Sequence, residues 1–181
     1  MTAQAIKAYP SRYAMYSDFP VGAVGAEIGV NFGTNSEHIN HSCRPKLFYL
    51  VDPWGKYVPH RDGDFVYQEV CSRFKGRDHI KIIRERALEW LEAMPDDHLD
   101  WVYLDTLHTY DETKAEIAAI LPKLKVGGIL SGHDFGVAGP WLSGVFRPVI
   151  EAVQDGHIHL TGVTHDAPFI SFMAKTLENT P

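Results

Sequence analysis

Short, almost wholly apolar runs alternate along this chain with longer stretches in which apolar residues recur every three or four positions. The short runs are AEIGV (26–30), KLFYLVD (46–52), HIKIIR (79–84), LDWVYLD (99–105) and GGILSGHD (127–134), then HIHLTGV (157–163) and FISFMAK (169–175). Nearly continuous apolar character, rich in β-branched and aromatic side chains, is what a strand covered on both faces requires. Between the runs, Thr34 to His41 predicts a short helix, and Asp64 to Phe74 a longer one that starts on a capping Asp. Ala87 to Ala93 places Leu88 and Leu91 at helical spacing. Asp111 to Leu124 aligns Ile117, Ile120, Leu121 and Leu124, and Pro122 predicts a kink or an early end. Gly127-Gly128 closes that unit, and Gly144 to Val153 predicts the last helix.

Strand–helix alternation in units of about 30 residues implies a parallel sheet with right-handed crossovers and helices on both faces. Only a turn through Asp166, Ala167 and Pro168 separates the last two strands. A parallel crossover needs about a dozen residues, so these two must pair antiparallel. The expected fold class is α/β: a single Rossmann-like doubly wound sheet of seven strands, mostly parallel, with an antiparallel C-terminal hairpin strand. No linker or repeat divides the sequence. Residues 1–181 read as one domain, with 1–21 as a polar N-terminal extension.

Composition narrows the partners. With 45% hydrophobic and 22% charged residues, the chain reads as a soluble globular domain. A net charge of −6 and the lack of any dense Lys/Arg run argue against a nucleic-acid partner. No apolar run approaches the roughly 18 residues of a membrane span. Cys43 and Cys71 fit neither a disulfide framework nor a zinc motif and read as free thiols. The N-terminus lacks a basic-then-apolar signal pattern, so a cytoplasmic location is expected.

Open α/β sheets bind ligands beyond the carboxyl ends of their strands, where strand order reverses. The first strand–helix turn, GAEIGVNFGTNS, carries Glu27, Gly29 and Gly33 as E-x-G-x-x-x-G. Gly29 can let backbone approach a ligand, and Gly33 can start a helix packed tightly on the strand. Asn31 stands where the dinucleotide fingerprint has its second glycine, and no Gly-Lys-Ser/Thr follows for a phosphate loop. Asp52 ends the second strand, 23 positions after Gly29, near the spacing of about 20 expected of a ribose-binding acid. Together these features favour a nucleoside ligand over a plain turn before Pro53.

Asp105 and Asp134 end the fourth and fifth strands. If those strands are neighbours, about 4.8 Å apart, the two carboxylates can converge on one cation. His133 can join them only if the chain turns after Gly132. His108 suits general-base work near neutral pH, and a metal that acidifies a hydroxyl would complement it. Ordinary loop chemistry is the competing reading, in which His108 is solvated and Thr109 or Asp111 caps the next helix.

Four segments carry a resemblance to class I S-adenosylmethionine-dependent methyltransferases, and within them to a small bacterial group that includes macrolide-sugar O-methyltransferases. They are AEIGVNFGTNS, LVDPW, DWVYLDTLHTYDETKAEIAAILPKLKVGGILSGHDF and GVFRPVIEAV, spanning about residues 22 to 175. The third is the most specific: D-x-x-H-x-Y at Asp105, His108 and Tyr110, then L-K-x-G-G at Leu124 to Gly128, then His133-Asp134. The resemblance implies that S-adenosylmethionine is bound by Glu27, Gly29, Asn31, Gly33, Asp52, Arg86 and Asp105, with 84–87 beside the adenine. It implies Mg²⁺ or another divalent cation on Asp105, Asp134 and His133, and His108 as base on the hydroxyl of a small-molecule acceptor. Arg86 and Ala87 stand where many relatives have an acidic residue and a Ser, and His133 where the related antibiotic enzymes have an acid. Only a short segment precedes the glycine turn, so the acceptor site falls to 53–64, to 135–143, or to a second subunit of a homo-oligomer. Trp54, Tyr57, Phe135 and Trp141 are its candidate apolar wall, or sheet-edge packing. Two other readings keep this fold: a nicotinamide-dependent oxidoreductase, against which Asn31 argues, and a degenerate methyltransferase fold that binds without turnover.

Overall fold

In the computed structural model, which describes residues 5–55, 62–136, 143–166 and 169–177, the apolar runs assemble into one eight-stranded sheet. The strands are β1 (Lys7–Tyr9), β2 (Val24–Ile28), β3 (Leu47–Val51), β4 (Ile80–Ile83), β5 (Leu99–Leu104), β6 (Leu124–Gly132), β7 (Ile158–Thr164) and β8 (Phe172–Thr176). Their spatial order is β1-β7-β8-β6-β5-β2-β3-β4. Only β8 runs against its neighbours, pairing antiparallel with both β6 and β7, as the short final connection requires. The strand count is eight rather than seven. The additional strand, β1, lies inside the segment read as an extension and pairs parallel with Gly162–Thr164. Three residues, KAY, are too few to show a two-residue period, so nothing local announces it.

The helices are α1 (Arg12–Met15), α2 (Thr34–Cys43), α3 (Gly63–Arg73), α4 (Ala87–Ala93), α5 (Tyr110–Ile120) and α6 (Ser143–Gln154). Helix α5 gives way at Leu121–Lys123 to a 3-10 turn holding Pro122, the early end that proline predicts. Strand β6 then starts at Leu124, three residues before the expected Gly127. Gly127, at φ +73°, is absorbed within the strand, where the register against β5 slips.

Alternating side chains sort the core into two layers. Val102, Leu104 and Leu130 pack with α4, α5 and α6 on one face. Phe48, Leu50, Trp101 and Tyr103 pack with α1, α2 and α3 on the other. From β2 the chain moves outward through β3 and β4, then returns to β2's other side as β5. Strand order therefore reverses at β2, and the carboxyl ends of β2, β3 and β5 share one rim. Among the described residues, no helix is long and apolar enough to cross a membrane.

Candidate active site

A cavity of about 530 Å³ opens at that rim. Arg12, Glu27, Gly29, Asn31, Asp52, Arg86, Asp105 and His108 all line it, while Gly33, His133 and Asp134 lie outside its lining. The glycine turn owes its shape to two contacts. Gly29 sits at φ +89°, and a Cβ there would lie 1.9 Å from the Asp105 carbonyl oxygen. The close approach expected of Gly29 is thus made to the protein's own β5 end. Gly33, at φ +72° before α2, would press a Cβ to 2.8 Å from the Phe74 ring. Asn31 takes a left-handed conformation, φ +51°, which Asn tolerates better than most residues.

Asp52 ties this turn to the end of β3. Its Oδ2 accepts the backbone N–H groups of Val30 and Asn31, both at 2.9 Å, and its Oδ1 accepts that of Trp54 at 2.7 Å. A carboxylate offers about four lone-pair sites, so capacity for a ligand hydroxyl remains. Glu27 is buried beneath the turn, accepting from Asn35 Nδ2 at 2.8 Å and from the Ser36 hydroxyl. Burial is the largest influence on it and raises its pKa from 4.5 to about 8.

The other wall concentrates charge. Strands β5 and β6 are neighbours, which brings Asp105 and Asp134 together. The turn needed after Gly132 is present, because Asp134 takes φ +55°. His108, itself left-handed at φ +57°, lies between the two acids. Its Nε2 is 3.0 Å from Asp105 Oδ1 and its Nδ1 3.2 Å from Asp134 Oδ2. Burial disfavours the imidazolium, but Asp105, Asp134 and Glu116 outweigh it and raise the pKa of His108 above 6.5. For Asp134 burial works upward, yet His133 and His108 hold the net shift downward.

One oxygen and one nitrogen chemistry meet here in a compact set. Candidate donor atoms of Asp105, His108 and Asp134 all lie within 4.8 Å of one another. Asp134 Oδ1 is buried and accepts no hydrogen bond from any described residue. An orphaned carboxylate oxygen beside a second acid is what a hard cation would satisfy, so the residues fit a divalent ion. His133 stands to one side of this set. Its Nδ1 is 3.2 Å from Asp134 Oδ2 and 3.7 Å from Asp105 Oδ1, and its ring stacks on Phe169.

The capping alternative also holds, for Thr109. It accepts the Glu112 N–H at 3.4 Å and donates to Glu112 Oε2 at 3.2 Å. Helix α5 thereby turns Glu112 and Glu116 toward the cavity, which sequence reasoning missed. Their four-residue spacing on one helix face was the available signal. Glu116 is buried, accepts from the Thr106 hydroxyl at 2.6 Å, and burial raises its pKa to about 7. Arg12 and Tyr13 were missed for a different reason, since long-range contacts of the N-terminal segment, the pairing of β1 among them, carry them to the rim.

The apolar wall divides. Trp54 lines the cavity, with its indole N–H on the Asn31 carbonyl at 2.9 Å. Phe135 packs into the core against Phe146 and Phe172. Tyr57 and Trp141 lie outside the described residues.

A family model described as a methyltransferase domain matches residues 26–135. No curated protein matches the chain. Several solved structures share its fold. The SMU.1697c protein of Streptococcus mutans, in complex with SAH, superposes with a TM-score of 0.66 at 11% identity, over 92% of this chain and 96% of that one. Fibrillarin of Aeropyrum pernix, with natively bound S-adenosyl-L-methionine, gives 0.63 at 18% identity over 86% and 67%. Fibrillarin of Methanococcus jannaschii, a pre-rRNA processing protein, gives 0.67 at 15% identity over 92% and 75%.

Proposed function

This chain belongs to the methyltransferase-domain family, and we propose that it transfers a methyl group from S-adenosylmethionine to a hydroxyl of a small-molecule acceptor. The observation that carries this reading is one cavity joining the glycine turn and Asp52 to Asp105 and His108. Two structures of the same fold hold SAH or S-adenosylmethionine, which supports the choice of cofactor.

When bound, the cofactor supplies an electrophilic methyl group on a sulfonium. The protein's part is to position the partners and remove a proton. Asp52, pinned by three backbone amides, presents its remaining lone pair to a ribose hydroxyl. Glu27 and Asn31 flank the amino-acid end, while Arg86 and Leu88 border the base. His108 takes the acceptor's proton at Nε2 once the hydroxyl replaces Asp105 Oδ1, 3.0 Å away, on that lone pair. The neighbouring Asp105 charge favours the imidazolium that forms. Asp134 keeps Nδ1 in place on the ring's other side. Asp105 and Asp134 would hold a divalent cation, with His133 as nitrogen donor, and such an ion would acidify the acceptor hydroxyl. Leu107, Phe169 and Tyr13 expose apolar surface around the rim and suit an apolar or aromatic acceptor.

An RNA acceptor is the second reading, favoured by the fold shared with a pre-rRNA processing fibrillarin. The net charge of −6 favours the small molecule. Calorimetric titration with S-adenosylhomocysteine tests the cofactor assignment. Asp52→Ala should weaken binding by about tenfold or more, as expected for a lost hydrogen bond to a charged group. Equal affinity in both proteins would sink it. Tight binding without turnover on any hydroxyl or RNA substrate would instead favour a degenerate methyltransferase.

A further inference from the structure

The N-terminal segment is fastened to the fold at several points, and each bears on the placement of one side chain. Beyond β1, the Tyr9 carbonyl accepts the His165 N–H at 3.0 Å. The Arg12 N–H donates to Asp166 Oδ2 at 3.3 Å. Tyr16 is buried and donates from its hydroxyl to Asn35 Oδ1 at 2.7 Å. The same Asn35 donates to Glu27, so the segment's anchor and the floor of the cavity form one chain of hydrogen bonds. Held this way, the Arg12 guanidinium reaches the Glu27 end of the cavity, with its Nη1 3.9 Å from Asp105 Oδ2.

That separation exceeds the 2.7–2.9 Å or so of a charge-assisted hydrogen bond, and a guanidinium carries five N–H donors in a fixed fork. Arg12 therefore retains donors for a planar anion. Among the described lining residues only Arg12 and Arg86 are Lys or Arg, and they keep different company, Arg12 beside Asp105 and Glu27 and Arg86 beside Glu112. Arg86 stands by α4, 3.8 Å from Glu112. With Asp52 taking the ribose, the nucleoside's base points toward Arg86 and its amino-acid end toward Arg12. The acids between match the cationic sulfonium and ammonium, which leaves the α-carboxylate as the one anionic group needing a partner.

We propose that Arg12 binds the α-carboxylate of the cofactor's amino-acid end, making the N-terminal segment part of the cofactor site. This rests on the S-adenosylmethionine reading above. The test compares two ligands by calorimetry on the full chain: S-adenosylhomocysteine, and 5′-methylthioadenosine, which keeps the nucleoside and thioether but lacks the amino acid. Arg12→Met should weaken the first by about 10- to 100-fold, the value of a hydrogen-bonded charge pair, and leave the second within about twofold. Arg12→Lys, which keeps the charge without the fork, should fall between. Retained binding of 5′-methylthioadenosine also certifies that the variant is folded. Unchanged affinity for S-adenosylhomocysteine overturns the proposal, including the case in which only the acceptor's KM rises because Arg12 holds an acceptor carboxylate. Parallel loss of both ligands overturns it as well, by making Arg12 a packing residue. If wild type binds 5′-methylthioadenosine but not S-adenosylhomocysteine, Arg12 loses its role and the nucleoside site stands. If wild type binds neither, the cofactor reading itself is overturned.

Discussion

The two walls of the cavity handle their carboxyl groups in opposite ways. On the glycine-turn side, Asp52 accepts three backbone N–H groups, and Glu27 accepts from Asn35 and Ser36. Every acid there is matched by neutral donors of the protein itself. On the β5–β6 side, Asp105 and Asp134 share one imidazole, and an Asp134 oxygen is buried without a donor. The first wall is complete before any ligand arrives and offers shape and hydrogen bonds. The second holds an unbalanced charge that a proton or a cation must settle, which is the property a proton-transfer site needs.

If the walls divide the work this way, one substitution should separate them. His108→Asn is suitable because Asn accepts the left-handed backbone that His108 adopts. Turnover should fall by about 100-fold or more, the usual worth of a general base, while S-adenosylhomocysteine affinity stays within about twofold. The wild-type rate should rise with pH through an inflection above 6.5, because His108 must be deprotonated to act and its neighbours favour the proton. A variant that keeps its rate, or loses cofactor affinity in step with it, would merge the two walls into one.

Legibility in the sequence follows the same division. Strands announce themselves as short runs rich in apolar and β-branched residues, so β2 to β8 were readable, and the short final connection dictated the antiparallel β8. The positions of Asp52, Asp105 and Asp134 were readable because strand ends are local features. What joins them was not. That Asn35 and Ser36 satisfy Glu27 depends on how α2 starts after the left-handed Gly33, and that His108 reaches both acids depends on left-handed turns at His108 and Asp134. Arg12 depends on a three-residue strand pairing about 150 positions away, a contact no local period encodes.

The quiet wall carries a pH signature of its own. Glu27 titrates near 8 in the folded chain against 4.5 for an unperturbed Glu, because burial penalises its charge. A raised folded pKa gives stability that is complete below about 4.5 and is lost as pH rises toward and through about 8. Glu27→Gln removes that dependence and keeps the hydrogen-bonding shape. In denaturant melts at several pH values, the variant should gain on wild type by roughly 1 kcal/mol per pH unit across this window. A difference that does not change with pH would mean that Glu27 is ionised in the folded protein, and the contrast with the other wall would be lost.

The smallest effect probes the unbalanced wall without turnover. If Asp105 and Asp134 attract a cation, a millimolar divalent salt should stabilise the chain in the absence of cofactor and acceptor. Occupancy at about ten times the dissociation constant adds about 1.4 kcal/mol, or about 3–6 °C in Tm for a domain of this size. Asp134→Asn removes one charge and relieves the orphaned oxygen, so it should melt no lower than about 1 °C below wild type and gain nothing from the salt. Sodium chloride at matched ionic strength controls for general screening, which acts on both proteins alike. Equal shifts in both proteins would assign the stabilisation to the acidic surface as a whole. Asp105 and Asp134 would then be left as partners of His108, His133 and Arg12, with no bound metal ion to account for.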